Sequence, residues 1–229
     1  MSEQTPSGTQ VCGHGPGLFV AFEGGDGAGK STQSGLLAQW LTEHGAQVVQ
    51  TREPGGTTLG RTLRELVLHG RDGSVSPRAE ALIFAADRAH HVATVVRPAL
   101  SRGAVVLTDR YLDSSVAYQG AARQLGHDEV RRLSLWAVED LVPDLTVLLD
   151  VPSAEGRARR GAVHDRLERE ADDFHDRVRQ GFLDLAALAP DRYLVLDATL
   201  PADELAAAVR RRVSPLLHRS AGRAGQEPR

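Results

Sequence analysis

Five short apolar runs recur along the chain: GLFVAFE (17–23), AQVVQT (46–51), AVVLTD (104–109), LTVLLD (145–150) and YLVLD (193–197). Each is nearly continuous in apolar residues rather than alternating with polar ones, the pattern of strands covered on both faces. The segments between them carry helical spacing, over 30–44, 58–69, 77–102, 112–124, 128–141, 166–189 and 202–218. Ser76-Pro77 supplies a cap followed by a proline at the first helical position. Strands alternating with helices predict an α/β domain built on a five-stranded parallel sheet, with right-handed crossovers and helices on both faces. Ligands of such sheets gather beyond the carboxyl ends of the strands, so the polar residues after each run hold the interest.

With 229 residues, 41% of them apolar and 25% charged, the chain can bury a full core, and one domain over 17–218 is expected. Residues 1–16 and 219–229 are small, polar and Gly/Pro-containing, and read as a disordered arm and tail. A lone cysteine, Cys12, cannot form an intramolecular disulfide. The first residues lack the basic and apolar regions of a secretion signal, and no apolar run approaches the ~18 residues of a membrane span. The cytoplasm is therefore the expected location, with no membrane partner. A net charge of −3 gives no reason to expect nucleic-acid binding.

The chemistry begins at FEGGDGAGKST (22–32), which contains the only lysine of the chain. Gly24-Gly25-Asp26-Gly27-Ala28-Gly29-Lys30-Ser31 fits G-x-x-x-x-G-K-[ST] between an apolar strand and a helix. Glycines let consecutive amides turn inward around phosphate oxygens, and the helix N-terminus adds positive potential. Lys30 is expected on the β/γ-phosphates and the Ser31 hydroxyl on Mg²⁺, with Thr32 completing the ATP loop. A compact ammonium fits beneath a phosphate chain where a planar guanidinium does not.

Four further segments are candidates. Asp109-Arg110 ends the third run, suiting a Mg²⁺ shell and a phosphoryl contact, or a plain strand-end ion pair. Arg52 opens REPGG, either a phosphate grip directed by the turn or a solvated turn with a salt bridge. Phe84 and Arg88 are four apart on one helix, with Leu82, Ile83, Ala86 and Val96 taken as the separate core-facing stripe. They suit a planar base, one stacking and one bonding its edge, although alone the pair reads more readily as core packing. Arg157, Arg159 and Arg160, ahead of DRLE (165–168), read as a lid over about 155–168 or as a solvated helix end. His90 and His91 have no metal-like spacing and read as incidental. If the acceptor is a phosphate monoester, its second pKa near ~6 leaves it a nucleophile at neutral pH without a general base. An alcohol acceptor instead favours a carboxylate base, for which Glu23 or Asp26 is available.

Taken in order, FEGGDGAGKST, TREPGGT, LIFAADR, DRYLDSSVAYQG, PDLTVLLDV and DRLE resemble the bacterial thymidylate kinase family from about Gly17 to Leu217. The resemblance implies a P-loop fold and transfer of the γ-phosphoryl group of ATP to thymidine monophosphate, with Mg²⁺, in a homodimer. It implies that Lys30 and the loop amides hold ATP, and that Ser31 and Asp109 serve the metal. Asp26 is implied near the acceptor's 3′-hydroxyl, and Arg52 and Arg110 on its phosphate. Phe84 and Arg88 fall on the base, Tyr118 against the deoxyribose, Gln119 close to the base, and Ser115 among the acceptor contacts. The loop carries Gly27-Ala28 where some members place an arginine, which assigns the transition-state cations to Arg157, Arg159 and Arg160. The alternatives are a deoxynucleoside kinase acting on a 5′-hydroxyl and a nucleotide-binding regulator without turnover.

Overall fold

The computed structural model describes residues 17–69, 75–159 and 165–224, with side chains described as far as Leu217. The expected N-terminal arm, Arg160 and the last residues of the tail lie outside the described residues.

The strands are β1 (Leu18–Glu23), β2 (Val48–Arg52), β3 (Val105–Asp109), β4 (Leu145–Asp150) and β5 (Tyr193–Asp197). They form one parallel sheet in the order β2-β3-β1-β4-β5, as the alternation of strands and helices predicts. β1, at the centre, is buried along its whole length. Its side chains alternate, so Leu18, Val20 and Phe22 enter one core while Phe19 and Ala21 enter the other. The edge strands β2 and β5 are only partly covered, so the double-sided burial read from the runs holds for the three inner strands.

α1 (Lys30–Glu43) and α9 (Ala202–Ala224) pack on the Leu18–Phe22 face. α9 continues past its expected end at 218. α2 (Thr58–Leu68) and α3 (Pro77–His91) pack against each other. The helix expected over 77–102 is instead three pieces: α3, a π-helical turn (Val92–Val96) and α4 (Arg97–Ser101). Pro98 explains the break, because its ring has no N–H and crowds the carbonyl four residues back. The 112–124 segment divides likewise into α5 (Leu112–Ser115) and a π-helical stretch (Val116–Ala122). α6 (His127–Ala137), α7 (Ser153–Ala158) and α8 (Asp172–Leu188) complete the fold, α8 starting later than the expected 166. No helix among the described residues is long and apolar enough to cross a membrane.

Parallel register aligns the strand ends: Arg52 and Phe22 both pair with Asp109, and Glu23 pairs with Leu148. The turns after β1, β2 and β3 therefore open at one edge of the sheet.

Candidate active site

The turn after β1 is the glycine loop. Gly24, Gly27 and Gly29 have φ of 134°, 80° and 91°, a region that favours glycine. Gly27 also has no room for a side chain, since a Cβ there would lie 2.1 Å from the carbonyl oxygen of Gly156 in α7. α7 thus rests directly on the loop through Gly156, a contact hidden in the sequence because a glycine inside a short helix reads only as a weak helix former.

Lys30 is the first residue of α1 and is 7% exposed. Its ammonium donates to the carbonyls of Gly24 (3.1 Å) and Gly25 (2.8 Å). Burial and the nearby Arg110 push its pKa down to about 8, against the pull of Asp26, Asp109 and Glu23. Beside it, the Ser31 hydroxyl donates to Asp109 Oδ2 at 2.5 Å across the mouth of a cavity that both residues line with Arg52 and Arg159.

Arg110 joins this cavity to a second one. Its φ of 69° turns the chain sharply after β3, and its amide donates to Phe22 O at 2.9 Å. Its guanidinium donates to Asp26 Oδ1 (2.5 Å), Gly24 O (3.1 Å), Ser114 Oγ (3.0 Å) and the Tyr118 phenol oxygen (3.1 Å). The Tyr118 hydroxyl donates in turn to Asp26 Oδ2 at 2.9 Å. Burial works to raise the Asp26 carboxyl, but Arg110, Lys30 and Tyr118 outweigh it and hold it well below the ordinary carboxylate range. Asp26 and Arg110 line both cavities, as do Glu53, Arg64 and Glu168.

The second cavity runs from this junction between Phe84, Arg88, Tyr118 and Gln119 on one side and the Asp165–Glu168 turn on the other. Ser115 lines it too. Its geometry corrects the expected division of α3. Leu82, at 57% exposure, and Ala86 face solvent, Ile83 is half-buried, and of that stripe only Val96 is fully buried. The buried face instead carries Glu80, Phe84, Arg88 and His91 at helical spacing. Arg88 donates to Glu53 Oε2 (2.6 Å), Ser134 Oγ (3.3 Å), Tyr111 O (3.2 Å) and Ser115 Oγ (3.1 Å), using four of its five N–H groups.

His91 is not incidental, contrary to what its position beside His90 suggests. It is fully buried, with Nδ1 2.7 Å from Glu53 Oε1 and Nε2 2.6 Å from Thr51 Oγ1. A carboxylate only accepts, so Nδ1 carries the hydrogen toward Glu53. His91 and Arg88 therefore grip both oxygens of one carboxylate and fix the REPGG turn against α3. Asp87 adds to this grip by accepting from the Gly55 amide at 3.3 Å.

Glu23 faces neither cavity. Its oxygens accept from the amides of Tyr111 (2.8 Å) and Ser114 (3.1 Å) and from Ser114 Oγ (2.6 Å), beneath the turn that holds Arg110. Burial and Asp113 raise its pKa to about 7.

Arg64 is a site residue that the motifs do not mark. It stands on the same face of α2 as Gly60, Val67 and Leu68, an arginine where the period calls for an apolar residue, and that misfit is its sequence signal. It donates to Pro54 O at 3.2 Å, while burial, Arg52 and Arg110 lower its pKa against the pull of Asp165 and Asp109. A guanidinium held down by two neighbouring cations suits a place that receives an anion.

Of the arginines expected in a lid, Arg157 and Arg159 diverge. Arg157 pairs with Asp172 at the start of α8, away from the cavities. Arg159 lines the lysine cavity while bonding Ala198 O (2.7 Å) and Glu155. Arg160 lies outside the described residues. At the end of the expected lid segment, DRLE closes a reciprocal turn in which Asp165 Oδ1 accepts from the amides of Leu167 and Glu168 (both 2.9 Å) and Glu168 Oε2 from that of Asp165 (3.0 Å).

A parallel five-stranded sheet with a glycine loop and buried lysine after β1, and a second cavity opening from the same junction, defines a P-loop nucleotide-binding protein with room for an acceptor. The thymidylate kinase family model matches residues 22–209. A thymidylate kinase of Clavibacter michiganensis subsp. michiganensis is 62% identical over 204 residues, covering 88% of this chain and 96% of that protein. One from Cutibacterium acnes is 57% identical over 203 residues, covering 89% and 99%. The crystal structure of thymidylate kinase from Ehrlichia chaffeensis superposes with a TM-score of 0.72 at 33% identity, covering 86% of this chain and 98% of that one. The chain belongs to the thymidylate kinase family.

Proposed function

We propose that this protein transfers the γ-phosphoryl group of ATP to thymidine 5′-monophosphate, releasing ADP and the diphosphate. The observation that carries the reading is the shared wall. The lysine cavity and the aromatic-lined cavity meet at Asp26, Arg64 and Arg110, so two phosphorylated ligands entering from opposite sides bring their phosphates together among guanidiniums. Such transfer is mainly a matter of alignment and charge neutralisation.

In this reading the amides of Gly24 to Thr32 and the Lys30 ammonium hold the ATP phosphates. Arg52, Arg64 and Arg110 hold the acceptor phosphate, Phe84 stacks on the base, and Arg88 offers its remaining N–H to the base edge. Ser115 and Gln119 complete the base wall, and Tyr118 bounds the sugar next to Asp26. Of the lid arginines, Arg159 is the one whose placement supports a transition-state role, and Arg157 reaches the phosphates only after leaving Asp172. The Ser31 hydroxyl and the Asp109 carboxylate are hard oxygen donors 2.5 Å apart at the cavity mouth, a fit for Mg²⁺, which needs few protein ligands beside phosphates and water. When bound, Mg²⁺ supplies neutralisation of the phosphate charge. A homodimer and a cytoplasmic location belong to the same reading and rest on the family likeness.

Acceptor chemistry separates this from a kinase acting on a 5′-hydroxyl. Neither candidate base suits proton abstraction from an alcohol. Glu23 is consumed beneath the Arg110 turn, and Asp26 is too weak a base in its ion pair. A panel of dTMP, dUMP, dCMP, AMP and thymidine with ATP and Mg²⁺ tests the proposal. Preferential dTDP formation is expected. Equal rates across the monophosphates, or faster turnover of thymidine than of dTMP, would overturn it.

A further inference from the structure

Glu80 lies wholly outside the chemistry described so far, yet it is a fully buried carboxylate in the first turn of α3, on the face shared by Phe84 and Arg88. Three side chains from two separate segments converge on it. Gln119 Nε2 donates to Oε1 at 2.8 Å, and Arg123 lies 3.4 Å from both oxygens. Arg166, the arginine of DRLE, donates to Oε2. Arg166 is itself fixed to the end of α2, through its side chain to Val67 O (2.9 Å) and its amide to Leu68 O (3.1 Å).

The contact with Gln119 determines which way a carboxamide points. A carboxylate accepts and never donates, so only the NH₂ end of Gln119 can face Glu80, and the Oε1 end is left toward the acceptor cavity that Gln119 lines. Among the described residues Oε1 receives no hydrogen bond. An amide free to rotate would offer a donor or an acceptor to the base indifferently; this one offers an acceptor only. With the one unused N–H of Arg88, the cavity presents an acceptor and a donor. That pair matches a pyrimidine carrying a ring N–H beside a carbonyl, the thymine or uracil edge. It opposes cytosine, whose ring nitrogen accepts and whose exocyclic amine donates.

We infer that Glu80 is a specificity-determining positioning residue: it sets the orientation of the Gln119 amide and, through Arg166, ties the opposite wall of the cavity to the same point. The inference rests on the acceptor reading above. It acts by exclusion as well as attraction, since a cytosine ring would place acceptor against acceptor.

The test compares dTMP with 5-methyl-dCMP, which differ only at the edge in question. Glu80→Gln keeps the shape but lets the Gln119 amide rotate, and the ratio of kcat/KM for dTMP over 5-methyl-dCMP should fall at least tenfold, through a higher dTMP KM with kcat largely kept. In a Gln119→Ala background the same substitution should leave the ratio within twofold, because Glu80 acts through Gln119. Glu80→Asp retains the charge facing Arg123 and Arg166 but withdraws from Gln119, and should lower the ratio in the same direction if the glutamine variant does not fold. A ratio within twofold of wild type in a folded Glu80→Gln or Glu80→Asp protein would overturn the inference, whatever the loss in thermal stability. Wild-type protein that fails to prefer dTMP over the other monophosphates would instead strike at the acceptor reading itself.

Discussion

Arg64 offers the sharpest single substitution, because its effects on function and on stability have different sizes for one physical reason. Unliganded, it is partly buried close to Arg52 and Arg110, whose charges oppose its own. An arriving phosphate dianion converts that repulsion into attraction. One charge-assisted hydrogen bond to such an anion is worth about 1.5–3 kcal/mol, which corresponds to roughly 10- to 150-fold in affinity. Arg64→Ala should therefore raise the KM for dTMP by about that factor at saturating ATP, while the KM for ATP moves less than threefold. The free protein should hardly notice. It loses the bond to Pro54 O, worth about 1 kcal/mol, and regains part of that by relieving the crowding of cations. Initial rates of ADP release with varied dTMP give the first quantity, and denaturant unfolding of the ligand-free protein gives the second. A dTMP KM within twofold of wild type, or an effect on ATP alone, would refute the assignment of Arg64 to the acceptor phosphate.

Lys30→Ala removes the ammonium aimed into the loop and should lower kcat by at least ~10²-fold in steady-state assays, with the fold retained by circular dichroism. His91→Ala leaves both Glu53 and Thr51 short of a buried partner and should cost about 2–4 kcal/mol in urea unfolding. It should also raise the dTMP KM, since Glu53 would no longer hold Arg88 in place. Glu23 has a folded pKa of about 7, above its ordinary 4.5, so the folded state binds more protons between those values. Its contribution is present below pH 4.5 and lost as pH rises through 7, on the order of 3 kcal/mol in all, and Glu23→Gln should flatten that part of the stability profile.

How much is legible in the sequence follows from how local each signal is. The glycine loop, the strand cores and the polar residues at the strand ends are short-range patterns, and Lys30, Ser31, Asp109 and Arg110 meet at one junction as their positions after β1 and β3 require. The α3 stripe misleads because helical periodicity identifies a face but not what lies opposite it. Leu82 points to solvent while Arg88 and His91 are buried, their polarity met by Glu53 from a turn 35 and more residues earlier. Glu80 is invisible for a related reason: an acid in the first turn of a helix satisfies the helix dipole, so nothing in the local pattern signals a buried role. Gly156 and Arg64 depend on contacts between segments far apart in the chain. A period can flag such a residue as anomalous, but only the fold supplies its partner.

The central claim is that the acceptor's phosphate sits among Arg52, Arg64 and Arg110 while the triphosphate lies on Lys30. A crystal structure with dTMP and a non-hydrolysable ATP analogue measures it directly. The account predicts acceptor phosphate oxygens within hydrogen-bond distance of at least two of those guanidiniums, with the γ-phosphate in line on the Lys30 side. An acceptor phosphate lying away from all three arginines, or a triphosphate lying away from Lys30, would contradict it.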